Sequence, residues 1–216
     1  MEILNLIELG PRPYDDVDQL QRQLHHQIAA GLRASALIVC EMESVYTAGK
    51  RTGRADLRDE HLSVRHIDRG GRITWHGPGQ IVVYPIVKLR NPIDVTAYAC
   101  ALEEAVIATA AHYGINADRV AGRSGVWLHD PERKLCAIGV RIARATTLHG
   151  LALNVTNSLA PYAPIIPCGI RDAGVTTLAM EGGNVSLAEV ATQLIRQLTS
   201  ALTPLIAPWD KEDINQ

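Results

Sequence analysis

The run from Arg69 to Gln80, Arg-Gly-Gly-Arg-Ile-Thr-Trp-His-Gly-Pro-Gly-Gln, places four glycines, two arginines and a histidine just ahead of an apolar, β-branched segment. A tight hairpin needs glycine only at its turn, and here two separate clusters flank Thr74 and His76. Gly70-Gly71 lets the main chain approach another group with no Cβ in the way, and Gly77-Pro78-Gly79 demands a sharp reversal. Such a segment leaves backbone N–H groups free for a ligand. Ile81 to Val87 reads as a buried strand.

The rest of the chain alternates. Residues 2–8 suggest a strand. Val17, Leu20, Leu24, Ile28 and Leu32 share one face of a helix expected over Tyr14 to Arg33. Leu37 to Cys40 is a short apolar strand, Lys50 to Glu60 a polar loop or short helix, and Val64 to Ile67 another strand. Tyr98, Leu102, Val106 and Tyr113 predict a second helix over Val95 to Tyr113 that Gly114 closes. Val126 to Leu128, Leu135 to Ile142 and Leu148 to Val155 read as strands. Ser186 with Glu189 forms a capping box opening a last helix that buries Leu187, Val190, Leu194, Leu198 and Leu202. The expectation is α/β, an α+β mixed sheet, in one domain over residues 1–216, because no low-complexity linker divides the chain.

A formal net charge of -2 gives no global attraction to nucleic acid or an anionic membrane. No basic, apolar leader opens the chain and no run nears the ~20 apolar residues of a membrane span, so the expected compartment is the cytosol. Cys40, Cys100, Cys136 and Cys168 lack zinc or disulfide spacing, and neither metal nor cofactor is expected.

Four of the 21 basic residues are lysines: Lys50, Lys88, Lys134 and Lys211. A desolvated lysine can surrender its proton, which arginine cannot. Lys134 beside an apolar strand therefore stands out, although it also suits a solvated residue ending a turn. Cys168 lies between Pro167 and Gly169, where neither a helix nor a central strand continues, so its thiol can be reached by a substrate. The other three cysteines sit in apolar segments as small core residues. A nucleophilic Cys168 needs a base or cation, and Lys134, His149 and His76 are the candidates.

These segments together resemble the octanoyltransferases of lipoate biosynthesis. The likeness runs from Val45-Tyr46-Thr47-Ala48-Gly49 to Thr177. It is carried by Arg69-Gly70-Gly71 with Thr74 to Gln80, Gly122 to Trp127, Lys134 with Ala137 to Arg141, His149-Gly150 with Ala152-Leu153-Asn154, and Pro167 to Ile170. It implies the catalytic-domain fold of biotin and lipoate protein ligases. It also implies octanoyl transfer from acyl carrier protein, through a thioester on Cys168 activated by Lys134, to a lysine of lipoyl domains. Those acceptors would be the lipoyl domains of 2-oxoacid dehydrogenase complexes and the glycine cleavage H protein. Substrate contacts would fall on Arg69, Gly70, Gly71, Arg72, Ile73, Thr74, Trp75 and His76, on Ala137, Ile138 and Gly139, and on Gly150, Leu151 and Ala152.

Thioester exchange is nearly isoenergetic and amide formation downhill, so such a reaction needs no ATP. Backbone N–H groups near Gly77 to Gly79 or Gly139 are the expected oxyanion donors. The alternative on the same fold is an ATP-dependent lipoate or biotin ligase, which needs a lysine but no nucleophilic cysteine. Two departures from the family pattern are Glu41-Met42-Glu43-Ser44, where Glu-His-Pro-Pro is usual, and Cys136 in place of a small residue. Simple alternation would put Cys136 on the same strand face as Lys134.

Overall fold

In the computed structural model, which describes residues 1–209, eleven strands and three helices form two sheets with helical cover. Lys211 lies outside the described residues. The strands are β1 (Glu2–Asn5), β2 (Ala36–Cys40), β3 (Val45–Ala48), β4 (Val64–His66), β5 (Thr74–His76), β6 (Gln80–Ile86), β7 (Asp118–Val120), β8 (Arg123–Leu128), β9 (Arg133–Ala143), β10 (Thr146–Asn154) and β11 (Gly174–Val175). The helices are α1 (Tyr14–Ala29), α2 (Val95–His112) and α3 (Leu187–Leu202).

The large sheet runs β1-β2-β6-β10-β9-β8-β7, with β11 pairing parallel to the start of β9; the small sheet is β4-β3-β5. Alternation along the central strands explains why they are apolar throughout. Leu37, Val39, Ile81, Val83 and Leu153 face α2 and α3, while Ile38, Cys40, Val82, Tyr84 and Ala152 face the α1 side. Both faces of the sheet are covered, so both sets are buried. The small sheet has its own cluster, built on Ile73, Trp75, Tyr162 and Ile165.

Helix ends follow local chemistry. The Asp94 side chain accepts the Ala97 N–H to start α2, and Ser186 accepts the Glu189 N–H to start α3. The first helix is shorter than the periodicity predicts: it stops at Ala29, Gly31 turns the chain with φ +78°, and Leu32 is exposed. Cys100 is likewise corrected, since it sits on the solvent face of α2, away from Tyr98 and Leu102, and is exposed. None of the described helices is long and apolar enough to cross a membrane.

Candidate active site

The site lies where the chain from Arg69 to His76 crosses β9 and β10. Arg69 is buried, and its guanidinium donates to the carbonyls of Gly70 (2.9 Å), Arg72 (2.8 Å) and Thr47 (2.8 Å). It thereby serves as a scaffold that folds the glycine-rich loop around itself. Gly70 N–H donates to Val140 O at 3.0 Å and fastens the loop to β9. A Cβ on Gly139 would stand 2.9 Å from Arg69 Cδ, so the crossing requires glycine there. In the β9–β10 ladder Gly139 is opposite Gly150 and Ala137 opposite Ala152. Four small residues in register leave a hollow beneath the loop.

That hollow is a cavity of about 210 Å³, lined among others by Arg69, Gly71, Arg72, Thr74, His76, Lys134, Ala137, Ile138, Gly139, Gly150, Leu151, Ala152 and Cys168. Most residues expected at the site are thus brought together. Three are not: Ile73 and Trp75 turn away into the small-sheet core, and Gly70 acts through its backbone on β9. Leu151 borders the cavity although its side chain packs in the α2–α3 core. Tyr84 and Ser124 also line the cavity, contributions that residue type alone did not single out.

Lys134 reaches the cavity because β9 is irregular. Trp127 is opposite Lys134 and Val126 opposite Cys136, which leaves Leu135 as an extra residue in a β-bulge. Leu135 and Cys136 therefore both enter the α2–α3 core, Lys134 points to the other side, and the expectation that Cys136 shares its face is overturned. Burial also raises the Cys136 thiol pKa far out of reach of neutral pH. The bulge is braced by Gly125, whose φ is +112° and whose N–H donates to the Glu103 carboxylate at 3.0 Å. Lys134 is only 5% exposed; its Nζ donates to Ser124 O at 3.1 Å and sits 4.5 Å from the Trp127 ring centre. No carboxylate pairs with it among the described residues.

Cys168 occupies a left-handed backbone conformation, φ 56° and ψ 12°, that costs a non-glycine residue about 1–3 kcal/mol. The surroundings enforce it. Cys168 N–H donates to Ile73 O (3.0 Å), Ile166 N–H to Asp56 O (2.7 Å), and the buried Asp56 carboxylate holds Arg72 at 3.1 Å. Arg72 in turn lies against Gly169, where a Cβ would be 2.4 Å from its Cδ. A few residues on, β11 pairs with β9 at Lys134, and Thr176 N–H donates to Lys134 O at 3.0 Å, so the cysteine turn and the lysine strand are tied together.

The two histidines differ in what they can do. Gln80 Nε2 donates to Asn154 Oδ1 (2.9 Å) and Tyr162 OH (3.0 Å), so its Oε1 faces His76 Nδ1 at 2.8 Å and that nitrogen must carry the proton. Burial drives the His76 pKa down to about 4, which leaves a neutral ring whose Nε2 has a lone pair and no partner among the described residues. In His149 both nitrogens are engaged: Nε2 with Asp68 Oδ1 at 2.7 Å and Nδ1 with the Gln21 amide at 3.3 Å. Burial lowers the His149 pKa against the pull of Asp68. Burial also pushes the Asp68 carboxyl upward, but hydrogen bonds from His149 and Arg22 outweigh it and hold the group well below the ordinary range.

The expected oxyanion donors at Gly77 to Gly79 are displaced from the cavity. Gly79 N–H is taken by Glu41 Oε1 at 2.5 Å, and Gly77 packs against the Trp75 ring; only Gly139 of that set borders the hollow. Glu41 and Ser44, in the departing stretch, thus have local tasks, since Ser44 Oγ accepts the Trp75 indole N–H at 2.9 Å.

Residues 13–199 match the family model of the lipoyl protein ligase A/B catalytic domain. The chain is 52% identical over 180 residues to an octanoyltransferase of Thermobifida fusca, covering 80% of this chain and 76% of that one. It is 45% identical over 206 residues to one of Salinispora tropica, covering 93% and 97%. Among solved structures it is similar to a bipartite lipoate protein ligase of Thermoplasma acidophilum (TM-score 0.68, 17% identity, 93% of this chain and 83% of that one). It is also similar to a biotin protein ligase of Aquifex aeolicus (TM-score 0.54, 14% identity, 93% and 70%). At those identities the structures speak for the fold, which is the one expected from the sequence.

Proposed function

This chain belongs to the lipoyl protein ligase A/B catalytic-domain family and, within it, to the octanoyltransferases, which are acyltransferases; from that premise we propose that it moves an octanoyl group from acyl carrier protein, through a thioester on Cys168, to a lysine of lipoyl domains. The observation that carries the chemical part is Cys168, held in a strained turn on the same cavity as the buried Lys134. The whole chain acts in this reading as one catalytic unit.

The first half-reaction begins with transfer of the Cys168 thiol proton to the Lys134 amine. The thiolate attacks the carrier thioester carbonyl, a new C–S bond forms, and the carrier C–S bond breaks. The departing carrier thiolate takes the proton back from Lys134. In the second half the acceptor amine attacks octanoyl-Cys168, Lys134 receives the proton this amine loses, and the Cys168 thiolate leaves and is reprotonated. Atoms and charge balance without ATP. The small-residue hollow suits the acyl chain: eight carbons in a dry site contribute on the order of 6 kcal/mol at ~0.8 per methylene. His76 Nε2 is available to accept a hydrogen bond, whereas His149 has no nitrogen to spare and positions the β10 backbone.

An ATP-dependent ligase would have no use for a cysteine strained at the mouth of its acyl site. Incubating the protein with octanoyl-carrier and a lipoyl domain in the absence of ATP tests the choice. Amide formation that Cys168→Ser abolishes is expected. Transfer that requires ATP and free octanoate, and survives Cys168→Ser, would refute the reading.

A further inference from the structure

A second cavity of about 260 Å³ is bordered by Pro167 and Ile170, which flank the Cys168 turn, and shares Lys134 and Ile170 with the first. Trp127, Tyr162, Ile165 and Pro167 give it apolar walls. Arg58 and Arg171, both exposed, also stand on its lining. Those two guanidiniums are held by neutral groups: Arg58 Nη1 donates to Ala163 O at 3.2 Å and Arg171 Nη2 to Ala55 O at 2.9 Å. Neither is paired with a carboxylate among the described residues, whereas Arg54, Arg72 and Arg123 nearby all are. Two cations without carboxylate partners on an apolar cavity suit an anionic group, and the same cavity borders the lysine that carries the proton in the reaction proposed above.

Resting on the transfer reading above, we infer that this second cavity receives the phosphopantetheine arm of the acyl donor, with Arg58 and Arg171 on its phosphate and Lys134 at its sulfur. The arrangement separates the two parts of the substrate. The acyl chain enters the small-residue hollow on one side of Cys168, the arm lies on the other, and the thioester bridges them. Lys134 borders both cavities, as a group must that takes a proton from Cys168 and returns it to the departing arm thiolate.

The test compares acyl-Cys168 formation from octanoyl-phosphopantetheine, octanoyl-pantetheine and octanoyl-carrier, read by intact mass. The unmodified protein favours the phosphorylated donor over the unphosphorylated one in kcat/KM. Replacing both arginines, Arg58→Gln with Arg171→Gln, keeps donors for the two carbonyls and lowers that ratio about tenfold or more. Restoring charge with Arg58→Lys and Arg171→Lys recovers most of it. A ratio that ignores the substitutions overturns the site. So does a loss confined to the carrier, because the arginines would then touch the carrier's protein surface. Ala173→Leu narrows the cavity and is expected to slow butanoyl and octanoyl donors by the same factor; a changed chain-length preference would place the acyl chain there instead and overturn the inference. Failure of the unmodified protein to form an adduct with any donor refutes the transfer reading itself, which separates the two failures.

Discussion

His76 makes the fold sensitive to acid by a calculable amount. Its pKa is driven by burial to about 4, against about 6.5 in an unfolded chain. Between those values the unfolded state binds a proton that the folded state refuses, so stability falls as pH falls. The stability is fully present above about pH 6.5 and is lost progressively until about pH 4. Each tenfold difference in proton affinity between the two states is worth about 1.4 kcal/mol, so the loss reaches about 2 kcal/mol near pH 5 and about 3 kcal/mol near pH 4. That is a large part of the roughly 5–15 kcal/mol typical of a domain. Burial lowers the pKa of His25 and His149 too, which adds to the slope, so a difference measurement is needed. Urea unfolding of the unmodified protein and His76→Gln, followed from about pH 7 to about pH 5, isolates the His76 contribution, because any constant cost of the substitution cancels. The gap between the two proteins is expected to narrow by about 2 kcal/mol over that range. Parallel curves would mean that His76 is solvated or protonated in the folded state, and the tautomer assigned from Gln80 would fall with it.

Other perturbations address the catalytic parts. Lys134→Arg puts a permanent cation in place of the proton acceptor, so turnover is expected to fall about 10²–10⁴-fold with the melting temperature little changed; near-normal turnover would leave Lys134 an electrostatic role and make His76 Nε2 the base. Gly169→Ala forces a Cβ into a φ of +72° and to within 2.4 Å of Arg72 Cδ, so a loss of about 1–2 kcal/mol and slower Cys168 acylation are expected in unfolding and single-turnover assays. At the site mouth Arg51 lines the cavity with no carboxylate partner among the described residues, whereas Arg54 is paired with Glu60 at 2.5 Å. Arg51→Glu should therefore raise the KM for octanoyl-carrier more than Arg54→Glu, and the difference should shrink as salt shortens the Debye length from about 10 Å to about 3 Å; equal effects with a small octanoyl thioester would rule out carrier steering.

Much of this architecture can be read from periodicity. The faces of α2 and α3 and the apolar runs of β6 and β10 are visible because burial on a regular element repeats at its own period. Cys168 is legible from its flanking Pro167 and Gly169, which exclude regular structure. The face of Cys136 is not legible, because the bulge at Leu135 arises from how β9 pairs with β8, a tertiary matter that alternation within one strand cannot reveal. The hollow itself depends on register, since Ala137 and Gly139 mean little until Ala152 and Gly150 are found opposite them. Which cations of the polar segment Lys50 to Glu60 stay free is also set by tertiary contacts, because Asp56 turns inward to Arg72 and Glu60 neutralises Arg54. Strands as short as β7 and β11 have too few residues to show a period at all.

The central claim is that the octanoyl group rests on Cys168 on its way to the acceptor. Its most direct test is to acylate the protein with octanoyl-carrier, remove the donor, map the adduct by peptide mass spectrometry, and then add a lipoyl domain without ATP. The account predicts one octanoyl group on the Cys168 peptide that disappears as the same amount appears on the lipoyl-domain lysine. An adduct on Cys136, Cys40 or Cys100, or one on Cys168 that the lipoyl domain cannot discharge, would contradict it.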